Sequence, residues 1–160
     1  MASCIPKLLG VALTAVSSSP HAECASVPAT VPATVPATVQ GYWREPSGAV
    51  LRIAQCQDKM CIEVVAFSPG NHPHVDVHNP NLTLRGRSLC GLRIGAFVES
   101  DPQHAEGHLY DPRSGRTYSG SMTAQGDKLK LRGYVGFKLL GRTEVWTRVG
   151  ILPRPCHPGP

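Results

Sequence analysis

Lys128-Leu129-Lys130-Leu131-Arg132 is the stretch on which the fold turns. Its period is two, so Leu129 and Leu131 fall on one face of an extended chain and the charges on the other. Gln125-Gly126-Asp127 just before it carries hairpin-loop chemistry. Arg132-Gly133-Tyr134-Val135-Gly136 just after it interrupts the strand with glycines, as a bulge or a barrel corner would. The same pattern extends in both directions. Residues 144–149 alternate again, residues 106–110 and 117–123 are strand-like, and Asp111-Pro112-Arg113-Ser114-Gly115 between them is a turn. Further back, residues 49–54 and 60–67 are strand-like and Pro46-Ser47-Gly48 is a loop. No window of ten or more residues has a helical period, and residues 85–93 are the least decided. About eight short strands at regular spacing predict an all-β domain over residues 40–149, a barrel or a sandwich. A small antiparallel β-barrel is preferred because closure removes exposed sheet edges.

Bulk composition agrees. Of 160 residues, 41% are hydrophobic and 17% charged, enough apolar material for a core. The 16 glycines and 15 prolines suit tight turns better than helices. A net charge of +5 could draw an anionic partner by its long-range field. Yet the Lys and Arg are scattered, with no basic stripe or aromatic platform, so nucleic acid is not expected as a partner. A membrane surface is left open.

The flanks differ from the domain. Residues 1–25 have the layout of a secretory signal peptide: Lys7, then an apolar run from Leu8 to Val16, then Ser17-Ser18-Ser19. The run is far shorter than the roughly 20 residues that span a bilayer. Cleavage is expected between Ser19 and Ala25; the competing reading is a buried N-terminal helix. Lipidation at Cys24 is open, although His21-Ala22-Glu23 is a poor approach to such a site. Residues 26–39 repeat Val-Pro-Ala-Thr three times from Val27, an extended spacer of polyproline character. Residues 150–160 form a Pro-rich tail. The expectation is an exported, periplasmic or secreted protein.

Taken in order, Gly41-Tyr42-Trp43-Arg44, Arg52-Ile53 with Cys56 and Cys61, Leu84-Arg85-Gly86-Arg87-Ser88-Leu89, Tyr110-Asp111-Pro112 with Gly115 and Tyr118, Leu129 to Tyr134, and Trp146-Thr147-Arg148 resemble the bacterial exported family called domain of unknown function 2147. That resemblance supplies no activity. Gly41-Tyr42-Trp43 is also similar to the opening of lipocalin-like barrels. It implies that Trp43 closes one barrel end beneath an Arg from the last strand, Arg142 or Arg148, with a pocket at the opposite end. Such a stacked cation contributes about 0.5–2 kcal/mol.

Individual residues say less. Cys56 and Cys61 bracket a four-residue turn, and in an oxidising compartment a disulfide is the simplest reading. Cys90 and Cys156 are left unassigned. His72, His74, Asp76 and His78 share a face of an extended chain, which suits zinc or copper chemistry. Four ligands on one strand span too far to surround one ion, however, and the flanking prolines suggest a solvated loop, so no metal site is assigned. Tyr110, Tyr118 and Tyr134 are candidates to line a ligand pocket, or ordinary strand aromatics. No nucleophile elbow, zinc-protease motif or phosphate loop is present, and neither catalysis nor a cofactor is expected. The reading is a binding module for a small apolar or amphipathic molecule of the cell envelope. The alternative is an interaction domain with a filled barrel.

Overall fold

The structure is a computed structural model and describes residues 38–68, 70, 74–151 and 154–157. The segment expected to be a signal peptide and nearly all of the repeat spacer, with His72 and the end of the tail, lie outside the described residues. Eight strands follow in order: β1 (Gly41–Arg44), β2 (Val50–Cys56), β3 (Lys59–Ala66), β4 (Arg93–Asp101), β5 (His104–Asp111), β6 (Arg116–Gln125), β7 (Lys128–Tyr134) and β8 (Arg142–Arg148). Each pairs antiparallel with the next. β8 returns to β1 through Trp43 opposite Arg148 and Arg44 opposite Thr147, so the barrel is closed. Helix is confined to two single 3-10 turns, Leu82–Leu84 and Lys138–Leu140, among the described residues.

The barrel interior follows from the alternation. Leu129 and Leu131 are buried, while Lys128 and Lys130 face solvent. Trp43, Ile53, Met60, Ile62, Phe97, Met122, Leu129 and Leu131 share one continuous core. Burying side chains of this size is worth about 1.5–3 kcal/mol each. The Phe97 ring packs against Gly95 and Gly120, and a row of glycines runs across the neighbouring strands. Gly107 lies opposite Phe97 in register, Gly120 opposite Gly107, and Gly133 opposite Gly120. A Cβ on Gly107 would stand 2.1 Å from the carbonyl oxygen of Ala96, and one on Gly120 would be 3.1 Å from the Phe97 ring. Gly133 therefore stays in register within β7, with neither a bulge nor a corner at that point.

β4 was the element without a sequence signature. The chain pairs Ile62 with Gly95 and Glu63 with Arg93, leaving Ile94 as the extra residue of a bulge. A bulge breaks period-two alternation, which hides the strand from pattern reading.

The long β3–β4 connection is also not the solvated loop expected of it. Asp76 is wholly buried and Asn79 nearly so. The Asp76 carboxylate accepts hydrogen bonds from the Tyr110 hydroxyl (2.6 Å), Asn79 Nδ2 (2.7 Å) and Arg87 Nε (2.9 Å), and Arg87 completes an ion pair with it at 2.7 Å. Burial alone would raise this carboxyl, but the bonds from Tyr110, Asn79 and Arg87 outweigh it and hold the group below its ordinary value. A buried charge with every partner in place fastens the connection to β5. Two disulfides add to this. Cys56 joins Cys61 across the β2–β3 turn, with Cα atoms 5.7 Å apart. Cys90 joins Cys156, with Cα atoms 5.8 Å apart, tying the tail back to the β3–β4 connection. The Cys156 amide also donates to the Val65 carbonyl.

Candidate ligand-binding cavity

The two ends of the barrel are finished differently. At one end lie the β2–β3, β4–β5 and β6–β7 turns together with the segment that leads into β1. Here the Trp43 indole N–H donates to the Val39 carbonyl at 2.8 Å. The Arg148 guanidinium lies over the indole, 4.1 Å from its centroid. Arg148 also donates to the carbonyls of Gln40 (2.9 Å), Thr38 (2.5 Å) and Gly126 (3.4 Å). Gly41 makes room for it, since a Cβ there would stand 2.7 Å from the guanidinium and φ is +131°. The cation is therefore Arg148; Arg142 sits at the opposite end of β8.

At the other end the interior is not filled. A cavity of about 270 Å³ opens between the β1–β2, β3–β4 and β5–β6 connections and the start of β8. Its apolar wall comes from Leu51, Val64, Ile94, Leu109 and Trp146, with Phe67 and Leu89 from the β3–β4 connection. Leu51 and Val64 are directly paired across β2 and β3. Ile94 is the bulge residue of β4, so the bulge supplies the cavity with an isoleucine.

The mouth is polar. Arg113 lies 3.3 Å from Asp111, 3.6 Å from Glu144 and 3.7 Å from Glu45. Burial alone would lower its guanidinium, but Glu45, Asp111 and Glu144 together raise it. Ser47 donates to Glu45, and the Trp146 indole N–H donates to Glu144 at 3.2 Å. Three carboxylates thus surround one guanidinium above an apolar floor, with His78 also on the rim.

Of the three tyrosines singled out in the sequence, Tyr110 lines this cavity, while its hydroxyl is engaged by Asp76. Burial raises the Tyr110 phenol first, and the bond to Asp76 adds to that. Tyr118 sits outside the cavity lining with its hydroxyl 3.3 Å from Ser114, and Tyr134 lies under Lys138. The structure does not bring the three together. His74 packs edge-on against Phe67 at 5.1 Å, and His74, Asp76 and His78 form no metal-type cluster among the described residues. Sequence reasoning did not single out Glu45, Arg113, Glu144 or the apolar wall as a site. The rim residues lie in two turns and in β8, far apart in the chain, and only barrel closure assembles them.

Comparisons with known proteins agree with this architecture. The family described as "Uncharacterized protein conserved in bacteria (DUF2147)" matches residues 41–148, from β1 to the end of β8. Among solved structures, protein HP1028 from the human pathogen Helicobacter pylori, described as belonging to the lipocalin family, superposes with a TM-score of 0.64. Its identity is 20%, with 73% of this chain and 85% of that one covered, a likeness of fold. Both resemblances expected from the sequence are thereby found. No curated protein sequence matches.

Proposed function

This chain belongs to the DUF2147 family and folds as a lipocalin-like barrel, and from that premise we propose that it is an exported binding module for a small apolar or amphipathic molecule. The observation that carries the reading is the unfilled mouth: an apolar cavity ringed by a few polar groups, in a barrel whose other end is packed shut. The ligand's apolar part lies against Leu51, Val64, Ile94, Leu109 and Trp146. Its polar end meets Arg113 and the carboxylates of Glu45, Asp111 and Glu144. Tyr110 belongs to the same wall through its ring. Export is supported by the two disulfides, which persist in oxidising compartments. Catalysis forms no part of the reading.

Native mass spectrometry of the mature protein, purified from its own exported fraction, tests it. The expected result is extra mass that leaves on denaturation and is lost in a Leu109→Trp variant whose indole fills the cavity. Bare polypeptide mass from the wild type, or equal extra mass in the cavity-filled variant, would count against a ligand in this site.

A further inference from the structure

The β7–β8 connection, at the same end as the cavity mouth, presents four large apolar side chains to solvent. Val135 is 73%, Phe137 77%, Leu139 88% and Leu140 80% exposed. Soluble monomers seldom display a contiguous group of this kind without a use for it.

The turn is held firmly. Arg132 donates through Nε to the Lys138 carbonyl (2.7 Å), through one terminal nitrogen to the Leu139 carbonyl (3.0 Å) and through the other to Thr143 Oγ1 (2.8 Å). Lys138 pairs with Glu106 and lies over the Tyr134 ring. The Leu140 and Gly141 amides close the 3-10 turn onto Phe137 and Lys138. With its backbone satisfied in this way, the turn aims its apolar side chains outward as a fixed tip.

The charges beside the tip have one prevailing sign. Arg132 and Lys138 lie within or under it, and Arg142 and Arg116 begin the adjoining β8 and β6. Among the described residues neither Arg116 nor Arg142 has an ion-pair partner; of the carboxylates beside them, Glu106 is paired with Lys138, and Asp111, opposite Arg116 in register, is paired with Arg113. Apolar side chains on a convex tip with cations around them match an anionic bilayer, where the side chains enter the acyl boundary and the cations meet headgroups. A second copy of the chain would bring the same cations against these. One turn also offers less than the about 800 Å² per partner that a stable interface buries.

We propose that residues 135–140 are a membrane-docking tip that seats this end of the barrel on an anionic lipid surface. The tip acts whether or not the cavity is loaded. When docked, it brings the cavity mouth to the lipid boundary, where an apolar ligand would be exchanged.

Flotation of the mature protein, purified from the exported fraction, with vesicles of mixed phosphatidylcholine and phosphatidylglycerol tests this, read against a Leu139→Asp/Leu140→Asp double variant. Both positions are exposed, so the variant should melt at the wild-type temperature. The double variant should lower the vesicle-bound fraction about ten-fold, and Arg142→Glu several-fold less, with the wild-type excess weakened by salt. Equal partition of wild type and double variant would overturn the proposal. So would a wild-type dimer that the double variant turns into a monomer, which would assign the tip to a second copy.

Discussion

The closed end and the open mouth of this barrel are built from the same eight antiparallel strands, yet one excludes everything and the other holds a cavity. At the closed end the inward positions carry Trp43, Phe97, Met122 and Leu129, with Gly95 and Gly120 leaving room for the Phe97 ring. Arg148 seals the outside of Trp43 and ties three segments together. At the mouth the inward positions are bounded by connections that arch over the opening, and the last inward residues are charged. The difference teaches that strand pairing closes the barrel, while side-chain size at the inward positions decides whether its interior is solid.

The largest effect should come from removing the cap. Trp43→Ala deletes a fully buried indole and the platform for Arg148, and should cost about 3–5 kcal/mol in denaturant unfolding. A cost below that of an exposed substitution would mean that the closed end is not the stabilising half.

The same substitution at the two ends sharpens the contrast. Leu129→Ala, in the packed half, should cost about 2–5 kcal/mol. Leu109→Ala, on the cavity wall, should cost under about 1.5 kcal/mol because part of its surface already faces a void. Equal costs would erase the distinction between the ends.

Asp76 tests what holds the mouth's arching connection in place. Asp76→Ala leaves Tyr110, Asn79 and Arg87 without their acceptor and should cost about 1–3 kcal/mol, with more lost from ligand binding than Leu129→Ala causes at matched stability. The pH dependence has a definite sign. The folded carboxyl is held below its ordinary value of 3.8, so its contribution is complete above that pH and is lost as pH falls through the lower folded value. Asp101, held low mainly by its bond to His104, titrates in the same acid range from the surface. Acid titration of wild type and Asp76→Asn should therefore converge in stability at low pH. Curves that stay parallel would contradict this role for Asp76.

The smallest effect on stability belongs to the rim. Arg113→Ala removes partly exposed ion pairs and should change stability by about 1 kcal/mol or less, while altering affinity for ligands with a charged end. A large loss of stability would make the rim structural.

The fold was legible where a residue's role depends on its near neighbours. Leu129 and Leu131 declare their face within five residues, and the glycine turn before them declares the hairpin. The cap was half legible. Gly41-Tyr42-Trp43 announces it, but Arg142 and Arg148 share one face of β8, so alternation cannot choose between them and only the register with Trp43 does. β4 was hidden by its own bulge at Ile94. Asp76 was visible only as one member of an alternating His/Asp set, because its partners Arg87 and Tyr110 lie 11 and 34 residues away. The cavity itself has no sequence signature, since an unfilled volume is a property of closure and of several distant side chains at once.

The contrast between the ends is tested most directly by a crystal of the barrel pressurised with xenon, a gas that settles in apolar voids. The account predicts xenon among Leu51, Val64, Ile94, Leu109 and Trp146 and none beside Trp43 or Phe97. Xenon beside Trp43, or a mouth that takes none because its side chains have collapsed together, would contradict it.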